Sequence, residues 1–341
     1  MSSDFQLDEQ GLQSNPATPP FQILCLSGGG YRGLYTATLL EELEKESQKP
    51  LVEVFDLIAG TSIGGILAIG LAARVPAKIL RKSFEDNGGA IFPRFHKIGG
   101  RSVFPRFGLG MLRSRYNVDG LRATIEAVLA NAPDIKTLED LKAIVLIASV
   151  DVTNNGPKLF GLDARSLSTP LLEVALATSA APTYFPEHRI GRSIFVDGGL
   201  IANSPDVIAL MHSLQAEAAA QIQMLSIGTV GGAGGEAARK PSGLGWLFRG
   251  KKLVDLTLAA QEKLSIEVTS KLLGESYIRL DANPSPDQLK AIGLDRTDKR
   301  ASDTLKVLAQ TTAEEGFKQY QGKLRVMLNR TSKQYRPAST L

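Results

Sequence analysis

The chain has 341 residues, 43% hydrophobic and 22% charged, with a formal net charge of +4 and a pI near 9.0. That length and composition support a sizeable core, in one large α/β domain with elaborations or in two full domains, and the basic excess is too mild for a protein that binds nucleic acid polymers. A single cysteine, Cys25, excludes an intramolecular disulfide, fits a reducing cytosol, and by its apolar surroundings predicts an inert buried thiol.

Residues 1–20 are polar, carry Asp4, Asp8 and Glu9, and lack the basic start and apolar stretch of a signal peptide, so a flexible arm is expected there. Phe21 to Ser27 reads as a buried strand running into Gly28-Gly29-Gly30-Tyr31-Arg32-Gly33. Consecutive glycines expose several backbone N–H groups in a concave nest suited to an oxyanion. Leu34 to Ser47 follows as a helix, with Leu39, Leu40 and Leu43 on one face. The apolar run Val54 to Ala59 then leads straight into Gly60-Thr61-Ser62-Ile63-Gly64. A serine between glycines at a strand-to-helix turn is a nucleophile elbow, which holds the hydroxyl out above a sheet. Gly65 to Ala73 continues as a buried helix whose first N–H groups point back towards Ser62. The structural alternative is a small-residue packing turn with a buried serine. The uncharged run from Leu57 to Ala73 is too short for a comfortable membrane span and contains Thr61, Ser62 and four glycines, so core burial accounts for it better.

Residues 87–118 contain no acidic residue but six basic ones, Arg94, Lys97, Arg101, Arg106, Arg113 and Arg115, and the tetrapeptide Phe-Pro-Arg-Phe occurs there twice. Arginines beside aromatics can clamp phosphates and stack on bases, or sit among lipid headgroups. The alternative is a solvated loop whose phenylalanines pin it to the core. Leu121 to Ala130 reads as a helix, Ala143 to Val150 as a buried strand and Leu171 to Ala180 as a helix. Ser193 to Val196 is a short strand ending in Asp197-Gly198-Gly199, which lets the aspartate reach across a site without steric obstruction. None of the three histidines, His96, His188 and His212, sits in such a motif, so Ser62 with Asp197 as its direct base is the economical assignment. Gln223 to Ile227 is the next strand. A glycine-rich stretch, 231–235, leads to Trp246-Leu247-Phe248-Arg249-Gly250-Lys251-Lys252, either an interfacial anchor or a lid. Asp303 to Asn329 reads as one or two amphipathic helices. No His, Cys and carboxylate set shows metal-ligand spacing, so no metal is expected.

These motifs, in this order, resemble the patatin-like phospholipases. Weaker similarities lie at Ala177 to Pro186, Asn203-Ser204-Pro205 and Leu225 to Thr229, and the resemblance covers about residues 20 to 230. It implies an α/β fold, a patatin-like three-layer α/β/α arrangement with a mostly parallel central sheet, and a calcium-independent lipid acyl hydrolase with a Ser-Asp dyad. Ser62 carries over as nucleophile and Asp197 as base, with Gly28, Gly29, Gly30 and Arg32 around the oxyanion hole. Gly33, Gly60, Gly64, Gly198 and Gly199 support the motifs. The expected division is a catalytic domain at 21–230, with 87–118 as an insertion, then a lid-like loop and helical elaboration on the same domain at 231–341.

The stretch from Phe21 to Leu34 also looks like the phospholipase effectors of bacterial anti-phage systems (CBASS), which a cyclic nucleotide such as cGAMP switches on. That implies membrane phospholipid as substrate, peripheral contact with the inner face of the membrane from the cytoplasm, and homo-oligomerisation on activation. A cyclic dinucleotide would be the allosteric activator, held by Arg94, Arg101 and Arg106. Other readings are an unregulated lysophospholipase or esterase, a pseudo-enzyme that senses a nucleotide, and a Rossmann-type nucleotide binder, since Gly28-x-Gly30-x-x-Gly33 has the formal spacing. The Rossmann reading wants an acidic residue at the end of a second strand near twenty positions on, where Leu43 to Pro50 reads as helix and turn.

Overall fold

Apolar side chains alternate across the first strand and feed two separate cores. The computed structural model describes residues 19–93, 114–141, 143–216, 221–230 and 250–332. Strand β1 (Phe21–Leu26) sends Leu24 and Leu26 into the larger core and Phe21, Ile23 and Cys25 into the smaller one. A strand buried on both faces needs cover on both faces. Helices Gly33–Ser47, Ile63–Ala72 and Leu171–Thr178 supply it on the larger side, and Asp206–Ala216 on the other through Ala209 and Leu210. The architecture is therefore the expected three-layer α/β/α.

Seven further strands complete the sheet among the described residues: β2 (Leu57–Thr61), β3 (Ile144–Asp151), β4 (Gly156–Phe160), β5 (His188–Ile190), β6 (Ser193–Asp197), β7 (Ile222–Ile227) and β8 (Tyr277–Leu280). The pairs β1–β2, β1–β7, β2–β3 and β7–β8 are parallel, while β4 and β6 run antiparallel to β3, and β5 to β6. Register along β3 brings two chain ends together. β2 pairs with Ile144 to Ala148, β6 with Ser149 to Asp151, and β4 with Ile147 to Asp151, overlapping both. A strand has two edges, so β4 occupies one while β2 and β6 lie end to end along the other. Thr61 stands opposite Ala148 and Asp197 opposite Ser149, adjacent positions on one strand.

Several expected boundaries shift. β2 starts at Leu57 rather than Val54, because Leu51–Glu53 form a 3-10 turn and the Asp56 carboxylate is engaged by the Gln22 backbone N–H at 2.8 Å and Arg330 at 2.7 Å. Helix Ala77–Ile91 absorbs the start of the acid-free segment. At the segment's two described ends, Phe92 and Tyr116 are buried, their rings edge-on with centroids 5.4 Å apart. Those ends are pinned to the core. The region beyond 231 supplies more than helices: helix Gly250–Leu273 packs on the sheet and β8 extends it in parallel. The tail forms two helices, Lys299–Gln319 and Gln321–Asn329. No helix among the described residues is long and apolar enough to cross a membrane.

Cys25 is wholly buried in the smaller core, its sulfur 3.7 Å from that of Met224, and burial pushes its thiol pKa well up. Aromatic disulfide reagents should therefore label it only at the rate of opening, with no fast phase in native protein and stoichiometric labelling in urea. Rapid labelling of folded protein would contradict this packing.

Candidate active site

β2 ends at Thr61 and the next helix begins at Ile63, leaving Ser62 between them at φ 56°, ψ −126°. A serine at positive φ is strained by about 1–3 kcal/mol and persists only where its surroundings over-determine it. Here the Thr61 hydroxyl donates to the Ala202 carbonyl at 2.6 Å, and the Ser62 N–H donates to Thr178 Oγ1 at 2.9 Å. Thr178 Oγ1 in turn donates to the Ala148 carbonyl at 2.6 Å. The flanking glycines are enforced by contact: a Cβ on Gly60 would strike the Gly64 carbonyl, and one on Gly64 the Leu26 carbonyl.

Ser62 and Asp197 line the same cavity, Ser62 is near enough to help hold the Asp197 carboxyl down, and that carboxylate accepts the Gly199 N–H at 2.7 Å. Asp197 is 5% exposed, and its burial pushes the carboxyl up to about 6 against the lowering effect of Ser62 and of the Gly199 N–H. Gly198 lies against the Ala148 carbonyl, closer than any side chain allows. His188 is engaged elsewhere, with Glu173 at 2.8 Å, and His96 lies outside the described residues.

The glycine loop departs from expectation at one point. The Gly28 N–H donates to the Asn203 carbonyl at 2.8 Å, so Gly28 is a buttress of the loop and not an oxyanion donor. The Tyr31 N–H is taken by the Leu294 carbonyl at 2.8 Å. The N–H groups of Gly29 and Gly30 have no acceptor among the described residues, and both glycines line the cavity that holds Ser62 and Asp197. Arg32 lines it too, while its Nε donates to the Gly29 carbonyl at 3.4 Å, bracing the loop. The spacing of Gly28, Gly30 and Gly33 answers close approaches by Asn203, Leu294 and Ile63. Gly30 additionally adopts φ +55°. The glycine pattern needs no dinucleotide to explain it. Arg94, Arg101 and Arg106 lie outside the described residues, as does Trp246.

The cavity measures about 450 Å³. Ile66, Phe84, Phe92, Leu121, Phe185 and Leu258 form an apolar wall, with the serine, the aspartate and the glycine loop at the polar end. An ester with an apolar chain suits that division. Three residues near the site escaped the sequence reading as functional groups. Asn203 sat in a quoted motif without a role. Glu262 and Arg279, an ion pair at 2.9 Å with Glu262 3% exposed, carry no sequence signal because charged residues read as solvated.

A family model described as patatin-like phospholipase matches residues 24–210. The chain belongs to the patatin-like phospholipase family. It is thus a hydrolase acting on lipid esters. This patatin-like phospholipase is 40% identical over 304 residues to a cGAMP-activated phospholipase of Pseudomonas aeruginosa, the alignment covering 84% of this chain and 86% of that one. A protein of the same name from Vibrio cholerae is 32% identical over 332 residues, with 87% and 91% covered. Patatin-like protein 1 of rice, Oryza sativa subsp. indica, is also 32% identical, over 225 residues, with 57% of this chain and 52% of that one covered.

Because the folded chain raises the Asp197 pKa from an ordinary 3.8 to about 6, ionising this group works against folding. Its contribution to stability is full below the unfolded value and is lost as pH rises through about 6, at a cost of about 3 kcal/mol. Asp197→Asn should therefore abolish ester hydrolysis yet gain up to about 3 kcal/mol in urea titrations at neutral pH, with the gain gone near pH 4. In the wild type, kcat/KM should rise with pH to a plateau, half-maximal near the Asp197 value of about 6.

Proposed function

We propose that this protein is a phospholipase A-type lipid acyl hydrolase that cleaves fatty-acyl esters of membrane glycerophospholipids through a Ser62–Asp197 dyad, and that a cyclic dinucleotide such as cGAMP switches it on. The observation that carries the chemistry is the placing of Ser62, on a strained strand-to-helix turn, beside a buried carboxylate in one cavity. Asp197 takes the Ser62 proton as Oγ attacks the ester carbonyl. The N–H groups of Gly29 and Gly30 stabilise the resulting oxyanion, with Arg32 holding the loop; removing such a donor typically costs about 100- to 1,000-fold in rate. On collapse the proton passes from Asp197 to the departing lysolipid alcohol. Water, deprotonated by Asp197, then releases the fatty acid from the acyl-serine. A carboxyl with a pKa of about 6 exchanges protons in both directions near neutral pH. The apolar wall receives the acyl chain.

Support for the activator comes from relatives named for cGAMP activation that align over most of this chain. An off state is also physically sensible, since an always-active phospholipase in the cytoplasm would attack its own membrane. In this reading the ligand binds the active state more tightly than the resting one, through the phosphate-binding arginines Arg94, Arg101 and Arg106, and drives homo-oligomerisation at the inner face of the membrane in anti-phage defence.

Mass spectrometry of phospholipid vesicles incubated with the protein, with and without a panel of cyclic dinucleotides, tests the whole reading. Lysolipid and free fatty acid should appear strongly only with an activating member. Ser62→Ala and Asp197→Ala should each abolish product, and the double variant should be little worse than either, because the pair acts as a unit. Full activity without ligand would leave an unregulated lysophospholipase or esterase. Activation that survives Arg94→Ala with Arg106→Ala would move the nucleotide pocket elsewhere.

A further inference from the structure

Helix Gly250–Leu273 meets the catalytic end of the molecule along one face. Leu258 packs at Gly199, the Gln261 side chain accepts the Asn203 N–H, and Ser265 Oγ donates to the Ser204 carbonyl at 2.8 Å. Glu262, on the same face, accepts from Asn203 Nδ2 at 2.8 Å. Residues three and four apart share one side of a helix, so 261, 262 and 265 grip the segment Asn203-Ser204 together, with 258 against Gly199 on the same side. That segment holds the Gly28 N–H through the Asn203 carbonyl.

The Glu262 carboxylate reaches the loop by a second route. Its other oxygen accepts from Arg279 Nη2 at 2.9 Å, and Arg279 Nη1 donates to Ser27 Oγ at 3.0 Å. Ser27 immediately precedes Gly28. One carboxylate therefore anchors both the residue before the loop and its first glycine, just where the chain must deliver two unbonded N–H groups into the cavity. A buried carboxylate beside a forming oxyanion would oppose the reaction if it stood alone. Pairing with Arg279 removes that opposition and leaves Glu262 free to serve as an anchor.

We propose that Glu262 is a positioning residue for the oxyanion site, acting through Asn203 and Arg279 to fix Gly28 and so aim the N–H groups of Gly29 and Gly30. This rests on the reading of Ser62 as nucleophile and goes beyond it, because it places the geometry of the hole under the control of a helix far downstream.

The test uses the full chain with its activator and a soluble short-chain ester, comparing wild type with Asn203→Ala and Glu262→Gln. For each, kcat, KM and the inhibition constant of a trifluoromethyl ketone, which forms a tetrahedral adduct on a serine, are measured. Misaimed donors should lower kcat about 10- to 100-fold with KM unchanged, and weaken the ketone by the same factor, because both need the oxyanion and ground-state binding does not. The pH at half-maximal kcat/KM should stay near the Asp197 value of about 6, since that carboxylate is untouched. Unchanged kcat in both variants would overturn the proposal. So would a kcat loss without a matching loss in ketone affinity, or one that merely follows the fraction of protein titratable at its active serine. Should Glu262→Gln fail to fold around an imperfectly paired Arg279, Asn203→Ala, which leaves that ion pair whole, decides the matter. Persistent activity in Ser62→Ala would instead sink the dyad reading, so the two failures have separate readouts.

Discussion

Ser62 and Asp197 meet in one cavity because two strands share one edge of β3. β2 arrives parallel and stops at Thr61; β6 arrives antiparallel and stops at Asp197; their partners on β3 are consecutive residues. Side chains along a strand alternate, so a one-residue slip of either would turn its functional group to the opposite face. The register is held from several directions. Ser149 Oγ donates to the Val196 carbonyl at 2.8 Å, and the Asp197 N–H donates to the Ala180 carbonyl at 3.0 Å. The elbow strain at Ser62, the close contact of Gly198 and the burial of Asp197 are all consequences of forcing two chain ends to meet at one point.

A second polar assembly supports the first. Arg279 sits in a buried cluster with Glu262, Asp281 and the hydroxyls of Ser27, Ser204 and Ser226, while fully buried Asp206 accepts from Ser204, Ser226 and Tyr277 at 2.9, 2.8 and 2.6 Å. Burying so many ionisable groups is expensive, and a well-packed apolar core often does as well for stability alone. What the polar cluster supplies is direction: hydrogen bonds fix the angle at which β1 gives way to the glycine loop. The cluster also joins β1, β7 and β8 to helix Gly250–Leu273, so parts of the sheet remote from Ser62 and Asp197 still shape the glycine loop.

Much of this was legible in the sequence where backbone geometry forces a residue type. Gly60, Gly64 and Gly198 must be glycine because carbonyl oxygens occupy the space of a Cβ, and that demand leaves a pattern in the chain. The assignment of Gly28 as a donor failed because which N–H stays unbonded depends on Asn203, a partner that only the fold brings near. Helix Ala77–Ile91 runs through Gly88, where the Tyr31 ring leaves no room for a side chain. Glu262 and Arg279 were illegible for another reason. A buried ion pair and two solvated charges look identical in one dimension.

The end-to-end arrangement of β2 and β6 also sets the order in which the site can be assembled. A ribosome releases Ser62 early and Asp197 only after most of the family-matched region has been made. The residues that brace the loop, Glu262 and Arg279, emerge later still. A nascent chain thus carries Ser62 before Asp197, and both before the glycine loop is braced, which waits until β8 pairs beside β7. Chain order therefore makes the braces of the glycine loop the last of these parts to arrive, so the cavity wall, the elbow and the loop can come together only after Arg279 has been made.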